Sequence, residues 1–166
     1  MNNKISIKTL NEYPQYAPIL AYWSHIQWYG ERKIDFSVNV SSYIQRSQNE
    51  SPPITLIAFY DSIPAGMVSV TMKDLWSRAD LYPWLASLFV YPKFRGLGIS
   101  KQLVNSAILK AKSFGFSKIY LFIGNNSEFD LLSYYSKLGW HYLDDCVDND
   151  GNESKIMFTS THHQTD

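Results

Sequence analysis

Cysteine is nearly missing from this sequence. Cys146 stands alone in 166 residues, so no disulfide can form within the chain. Asp144 and Asp145 beside it disfavour a thiolate, and the thiol reads as inert. Charge imbalance is missing too: 15 Lys and Arg offset 15 Asp and Glu, so no basic excess points to a nucleic acid. No stretch approaches the roughly 18 apolar residues that a membrane span needs. Met1-Asn2-Asn3-Lys4 leads into no apolar run of signal-peptide length. A reducing cytoplasm is therefore the expected location. Cys, Asp and Glu do not recur at metal-ligand spacing. His25 and His141 read as structural, and His162 and His163 lie in a terminal tail with no other ligand near. Internal repeats and low-complexity segments are also lacking.

Apolar residues are plentiful, at 45% hydrophobic, with 16% aromatic and 12 Tyr. A chain of this length makes one ordinary domain and can bury roughly 70% of its unfolded surface. The expected domain covers 1–160, with a frayed tail over 161–166. Ile5, Ile7 and Thr9 alternate as in a first strand. Helical spacing then places Ile19, Trp23 and Ile26 on one face of a helix ending at Gly30. A second helix follows Asp35 or Ser37, with Val40, Tyr43 and Ile44 inward. Residues 54–60 and 65–72 form a strand pair about the turn Asp61-Ser62-Ile63-Pro64.

After a charged and aromatic loop over 73–83, residues 84–91 are so continuously apolar that they read as a strand covered on both faces. The clearest helix runs from Gly98 to Gly115, with Ile99, Leu103, Ala107, Ala111 and Phe114 as its buried stripe and Val104 and Ile108 widening it. A strand over 118–123 follows. Ser127, with Asp130 three residues on, reads as the start of a helix that Gly139 stops. Strands over 140–143 and 155–159 close the chain around Asp148-Asn149-Asp150-Gly151. Seven strands and four helices in this order make a mixed α/β sheet with helices on its faces.

Between the apolar strand and the best helix stands Tyr91-Pro92-Lys93-Phe94-Arg95-Gly96-Leu97-Gly98-Ile99-Ser100-Lys101. A strand that turns sharply into a helix exposes the first helical N–H groups, which have no intrahelical acceptor. With the helix dipole they suit an anion. Gly96 and Gly98 permit positive φ and close approach, and Arg95 adds a planar donor fork suited to phosphate. The spacing matches neither a P-loop nor a dinucleotide-binding loop, since Lys101 holds the third glycine position. Two glycines alone also fit a plain packing turn.

The wider run Leu88-Phe89-Val90-Tyr91-Pro92-Lys93-Phe94-Arg95-Gly96-Leu97-Gly98-Ile99 resembles the L-x-V-x-P-x-x-R-G-x-G-I acetyl-CoA signature of the GNAT superfamily of N-acetyltransferases. Its core [QR]-x-x-G-x-[GA] falls on Arg95, Gly98 and Ser100, where Ser replaces the usual Gly or Ala. Tyr135-Ser136-Lys137-Leu138-Gly139-Trp140 is similar to the family's Y-x-x-x-G-F, with Trp for Phe. The likeness covers most of the chain.

The resemblance implies a mostly antiparallel central sheet of about seven strands flanked by about four helices. It also implies a splayed, V-shaped cofactor cleft between the two central strands. In it the backbone of Leu88, Phe89 and Val90 pairs with the pantetheine arm of acetyl-CoA. The N–H groups from Arg95 through Gly96, Leu97, Gly98, Ile99 and Ser100 to Lys101 hold the pyrophosphate. Asn126 takes the place of the family's cofactor-contacting Asn, and Tyr135 is both a cofactor contact and the acid that protonates the leaving thiolate. Tyr134 is the alternative for that acid, and helical spacing alone also allows Tyr135 to be a core aromatic. Asp74 and Asp80 are candidate bases, neither chosen.

The implied activity is acetyl transfer from acetyl-CoA to a primary amine, on a small molecule or a peptide or protein N-terminus, by direct attack in a ternary complex. No metal, nucleic acid or membrane takes part, and the protein is a monomer or homodimer. A CoA-binding sensor or regulatory module without turnover is the alternative. An interaction domain working through Trp23, Trp28, Tyr29 and Trp76 is a third reading.

Overall fold

The computed structural model describes residues 4–30, 34–125 and 129–162. Among them seven strands and four α-helices follow in the expected order. They are β1 (Ile5–Thr9), α1 (Ala17–Ser24), α2 (Phe36–Arg46), β2 (Ile54–Tyr60), β3 (Ile63–Thr71), β4 (Trp84–Val90), α3 (Ile99–Ser113), β5 (Lys118–Gly124), α4 (Leu131–Lys137), β6 (His141–Val147) and β7 (Glu153–Ser160). The strands form one mixed, mostly antiparallel sheet in the order β1-β2-β3-β4-β5-β7-β6, with β4 parallel to β5 at Trp84↔Tyr120. The chain divides into two compact units, 1–70 with 87–107 and 71–86 with 108–166.

In the first unit, β1 and β2 pair from Ile5↔Tyr60 to Thr9↔Leu56. The β2–β3 hairpin closes through Asp61 and Ser62, both at positive φ, as the right-handed twist of two-residue hairpins requires. Leu10, Leu20, Trp23, Tyr43, Ile57, Met67 and Phe89 pack into one core. Helix α1 turns Ala17, Leu20, Ala21 and Ser24 inward, a run of i, i+3, i+4 and i+7. Ile19 and Ile26, expected inward with Trp23, are 39% and 50% exposed. Trp23 is buried as expected, but three of the four other buried positions carry small side chains, so Ile19 and Ile26 mark the wrong face. A π-helical turn over His25–Tyr29 then shifts the helical phase before Gly30.

Asp35 caps α2, its carboxylate accepting from the Ser37 N–H at 2.9 Å. The inward face of α2 is Asn39 and Tyr43. Asn39 Nδ2 donates to the Ala21 carbonyl at 2.8 Å and so ties α2 to α1, whereas Ile44, expected inward, is exposed.

In the second unit, β5 pairs with β7 from Lys118↔Ser160 to Gly124↔Ser154, and β6 pairs with the other edge of β7. Asp148 Oδ1 accepts from the Asp150 and Asn152 N–H groups at 2.9 Å each and shapes the turn between them. Leu75, Trp84 and Ile156 are buried together, with Leu81, Tyr120, Phe122 and Cys146 packed around them. Burial first, then the charges of Asp148 and Asp144, pushes the Cys146 thiol up, which keeps it unreactive.

Asp130, not Ser127, caps α4: its carboxylate takes the Ser133 N–H at 2.9 Å and the Ser133 hydroxyl at 2.6 Å. Ser127 lies outside the described residues. Thr161, expected in the tail, is buried. Its N–H donates to the Ser117 carbonyl at 3.0 Å and its hydroxyl to the Phe116 carbonyl at 2.6 Å.

Candidate functional site

The turn between β4 and α3 is fixed from below by an aromatic anchor. Phe94 is buried, with its ring 5.6 Å from Tyr60 and 6.3 Å from Tyr91. Pro92 opens a short 3₁₀ turn in which Phe94 N–H donates to the Tyr91 carbonyl at 2.8 Å and Arg95 N–H to the Pro92 carbonyl at 3.2 Å. The Arg95 amide is therefore spent within the turn. From Arg95 to Gly98 the chain is exposed.

Gly96 and Gly98 stand at φ +79° and +80°, and a Cβ at either would meet nothing within 4 Å. Backbone conformation, not crowding, is what makes glycine necessary here. The first backbone bond of α3 runs from the Gln102 N–H to the Gly98 carbonyl at 3.3 Å, so the N–H groups before Gln102 precede any intrahelical acceptor. Ile99 is buried, Ser100 half-buried and Lys101 exposed.

Arg95 does not stand clear of the protein. Its Nε donates to the Val90 carbonyl at 3.0 Å, and its guanidinium lies 5.9 Å from the Phe89 ring centroid. The strand it leans on presents two edges. Tyr91 N–H bonds the Ala65 carbonyl at 2.9 Å, and the Phe89 carbonyl lies so near Gly66 that a Cβ there would sit 2.7 Å from it. Phe89 and Tyr91 thus face β3, and by the alternation of antiparallel pairing Leu88 and Val90 turn their peptide groups the other way. The Phe89 ring is itself core, 5.5 Å from Trp23.

Among the described residues only three non-glycines have positive φ: Asp61 and Ser62 in the hairpin, and Ser87 at 53° in the middle of β4. Around Ser87 the burial of the strand breaks. Trp84, Leu85, Ala86 and Phe89 are buried, whereas Ser87 and Leu88 are half-exposed. Sequence reasoning passed over Ser87. The signal was a lone hydroxyl in Trp-Leu-Ala-Ser-Leu-Phe-Val.

In the second unit, Tyr135 is 6% exposed and packs edge-on at 5.7 Å against Trp140 and at 5.1 Å against Tyr134. Burial above all, and the neighbouring Tyr134, holds its phenol well above the ordinary tyrosine range. Asn126 lies outside the described residues; Asn125 and Phe129 on either side line a recess of about 340 Å³ with Ile123, Asp130, Leu132 and Lys155.

The two candidate bases sit in a pinned loop. Asn149 accepts from the Trp76 N–H at 3.0 Å and donates to the Asp74 carbonyl at 2.7 Å. Arg78 forks onto Asp80 at 2.9 and 3.0 Å and reaches Asp144 at 3.2 Å. Those Arg78 hydrogen bonds hold the Asp80 carboxyl below the usual range, which makes it a weak proton acceptor. No group of three or more His, Cys, Asp or Glu among the described residues is placed to hold a metal ion.

A family model described as "Acetyltransferase (GNAT) family" matches residues 16–140. No curated protein matches the sequence. Solved structures share the fold. An aminoglycoside 6'-N-acetyltransferase complexed with coenzyme A superposes with TM-score 0.72 at 17% identity, covering 97% of this chain and 99% of its own. A mutant of spermidine N-acetyltransferase SpeG from Vibrio cholerae gives 0.72 at 13%, covering 96% and 95%. Arabidopsis thaliana Naa50, in complex with the bisubstrate analogue CoA-Ac-MVNAL, gives 0.65 at 20%, covering 95% and 99%.

Proposed function

Because the chain belongs to the GNAT acetyltransferase family, we propose that it moves an acetyl group from acetyl-CoA to a primary amine, by direct attack while both are bound. The observation that carries this reading is the exposed turn at the head of α3, with its two left-handed glycines. Its donor set fits a pyrophosphate: amides ahead of the first helical acceptor, the exposed side chains of Lys93 and Lys101, and the Arg95 fork. Gly96, Leu97, Gly98, Ile99 and Lys101 contribute these amides. Arg95 acts through its side chain, since its own N–H already serves Pro92. Leu88 and Val90, with peptide groups turned from β3, offer the edge for the pantetheine arm, while Phe89 serves packing.

Acetyl-CoA supplies a thioester carbonyl open to attack. The rest falls to the chain and the acceptor. An amine attacks only in its neutral form, through its lone pair. As the C–N bond forms it sheds a proton to solvent water, from which Tyr135 regains the one it gives to sulfur. The departing sulfur is a better leaving group if it receives a proton. Tyr135 holds one throughout the neutral range, since its phenol lies above the ordinary value of about 10. Asp80, committed to Arg78, is not assigned as base. A polyamine, an aminoglycoside and a peptide named with structures of the same fold support the proposed acceptor, an amine on a small molecule or at a peptide N-terminus.

Thiol release from acetyl-CoA, measured over spermidine, kanamycin and an N-terminally free pentapeptide, tests the reading. Turnover of at least one amine is expected. Acetyl-CoA at a hundred times its Kd is expected to stabilise the fold by about 2.7 kcal/mol, a rise in Tm of roughly 5–10 °C for a chain of this size. Absence of that rise overturns the assignment. The rise without turnover of any amine leaves a CoA-binding module.

A further inference from the structure

We propose that the hydroxyl of Ser87 holds the attacking amine, accepting a hydrogen bond from its N–H and aiming its lone pair at the thioester carbonyl. This rests on the function proposed above. Three observations lead to Ser87. It is the only non-glycine at positive φ within a strand among the described residues, at 53°, a conformation that L-residues avoid and that persists where the surroundings enforce it, commonly at functional positions. Burial also breaks there: Ser87 and Leu88 are half-exposed after the buried run Trp84 to Ala86 and before buried Phe89, with Val90 half-exposed beyond.

The third observation is chemical. β4 carries no carboxylate and no imidazole. Its other heteroatom-bearing side chain is committed, since Trp84 Nε1 donates to the Leu81 carbonyl at 2.8 Å. The Ser87 hydroxyl has no hydrogen-bond partner among the described residues.

Position along the strand places the hydroxyl at the reacting end. Phosphates held beyond Tyr91 send the pantetheine arm back along Val90 and Leu88. Four residues of strand, Tyr91 to Ser87, span about 13 Å, so the arm approaches its sulfur end at the level of Ser87. A hydroxyl accepts a hydrogen bond from a neutral amine without itself gaining a proton, so the role requires no perturbed acidity.

Full-length Ser87→Ala and Ser87→Gly separate the hydroxyl from the backbone. Alanine keeps the conformational strain; glycine relieves it; both lack the oxygen. Calorimetry gives the Kd of acetyl-CoA, and of the fastest amine of the panel above on the protein loaded with desulfo-CoA, where no turnover occurs. Expected are an acetyl-CoA Kd within twofold of the parent, an amine Kd weakened about tenfold, and kcat/KM for the amine lowered at least tenfold in both variants. Ser87→Gly is expected to melt higher than Ser87→Ala and to be no more active.

Parental amine binding and kcat/KM in Ser87→Ala overturn the proposal. So does recovery of activity in Ser87→Gly alone, which assigns the effect to the backbone, and so does a loss of acetyl-CoA binding in either variant. Failure of the parent protein to bind acetyl-CoA instead overturns the function reading on which this one stands.

Discussion

Under the proposed function Tyr135 satisfies two demands with one side chain. Its ring fills core against Trp140, and the same burial that pays for packing keeps its proton in place. Tyr135→Phe keeps the ring, and is expected to lower kcat about a hundredfold with the KM for acetyl-CoA within about twofold. The pH dependence has a definite sign. The acid form is the active one, and a raised pKa extends that form upward in pH. No alkaline fall in kcat below about pH 10 should therefore come from this phenol. A fall near pH 9 that disappears in Tyr135→Phe would contradict the assignment. Both readings of Tyr135 came from the sequence, a core aromatic from helical spacing and an acid from Tyr-x-x-x-Gly-Trp, and its burial bears out the first. Ser87 was illegible: φ is a property of the folded strand, and serine carries no mark of it.

At the scale of elements the sequence was most readable where one period ruled. The bounds of β2 are those read from its apolar run, and α3 buries Ile99, Leu103, Val104, Ala107, Ile108 and Ala111 as its spacing requires, while Phe114, expected in that stripe, is half-buried just past the helix end. Reading succeeded only in part at α1: Trp23 is buried as expected, but Ala17, Leu20 and Ala21 share the packing in place of Ile19 and Ile26, and a π-turn breaks the period. It failed at the start of α4, where a cap chosen three residues early gave way to Asp130. Glycines in and after β3 make a graded test of element geometry. Alanine at Gly98 meets empty space and has only a left-handed backbone against it, at about 1 kcal/mol. Alanine at Gly66 would put Cβ 2.7 Å from the Phe89 carbonyl and 3.2 Å from Leu103 Cδ1. Backbone cannot yield cheaply there, and the cost is about 3 kcal/mol. Urea unfolding of the two variants should rank Gly66→Ala as the less stable; the reverse order would contradict the close approach of β3 to β4.

Over the whole molecule, 15 positive and 15 negative side chains cancel, so no net field draws a polyanion from a distance. Capture of a nucleotide in the proposed turn then depends on charges within a Debye length of it. Stopped-flow mixing with acetyl-CoA should give an association rate that changes little between low and physiological salt. A steep fall would reveal long-range steering. The guanidinium seated on the Val90 carbonyl has a kinetic corollary. Its rotamer is selected when the chain folds, so little freedom remains to be lost at encounter, and residence time becomes the quantity that depends on it. Arg95→Lys keeps the charge and forfeits the tether. The complex should form at the parental rate and dissociate several times faster.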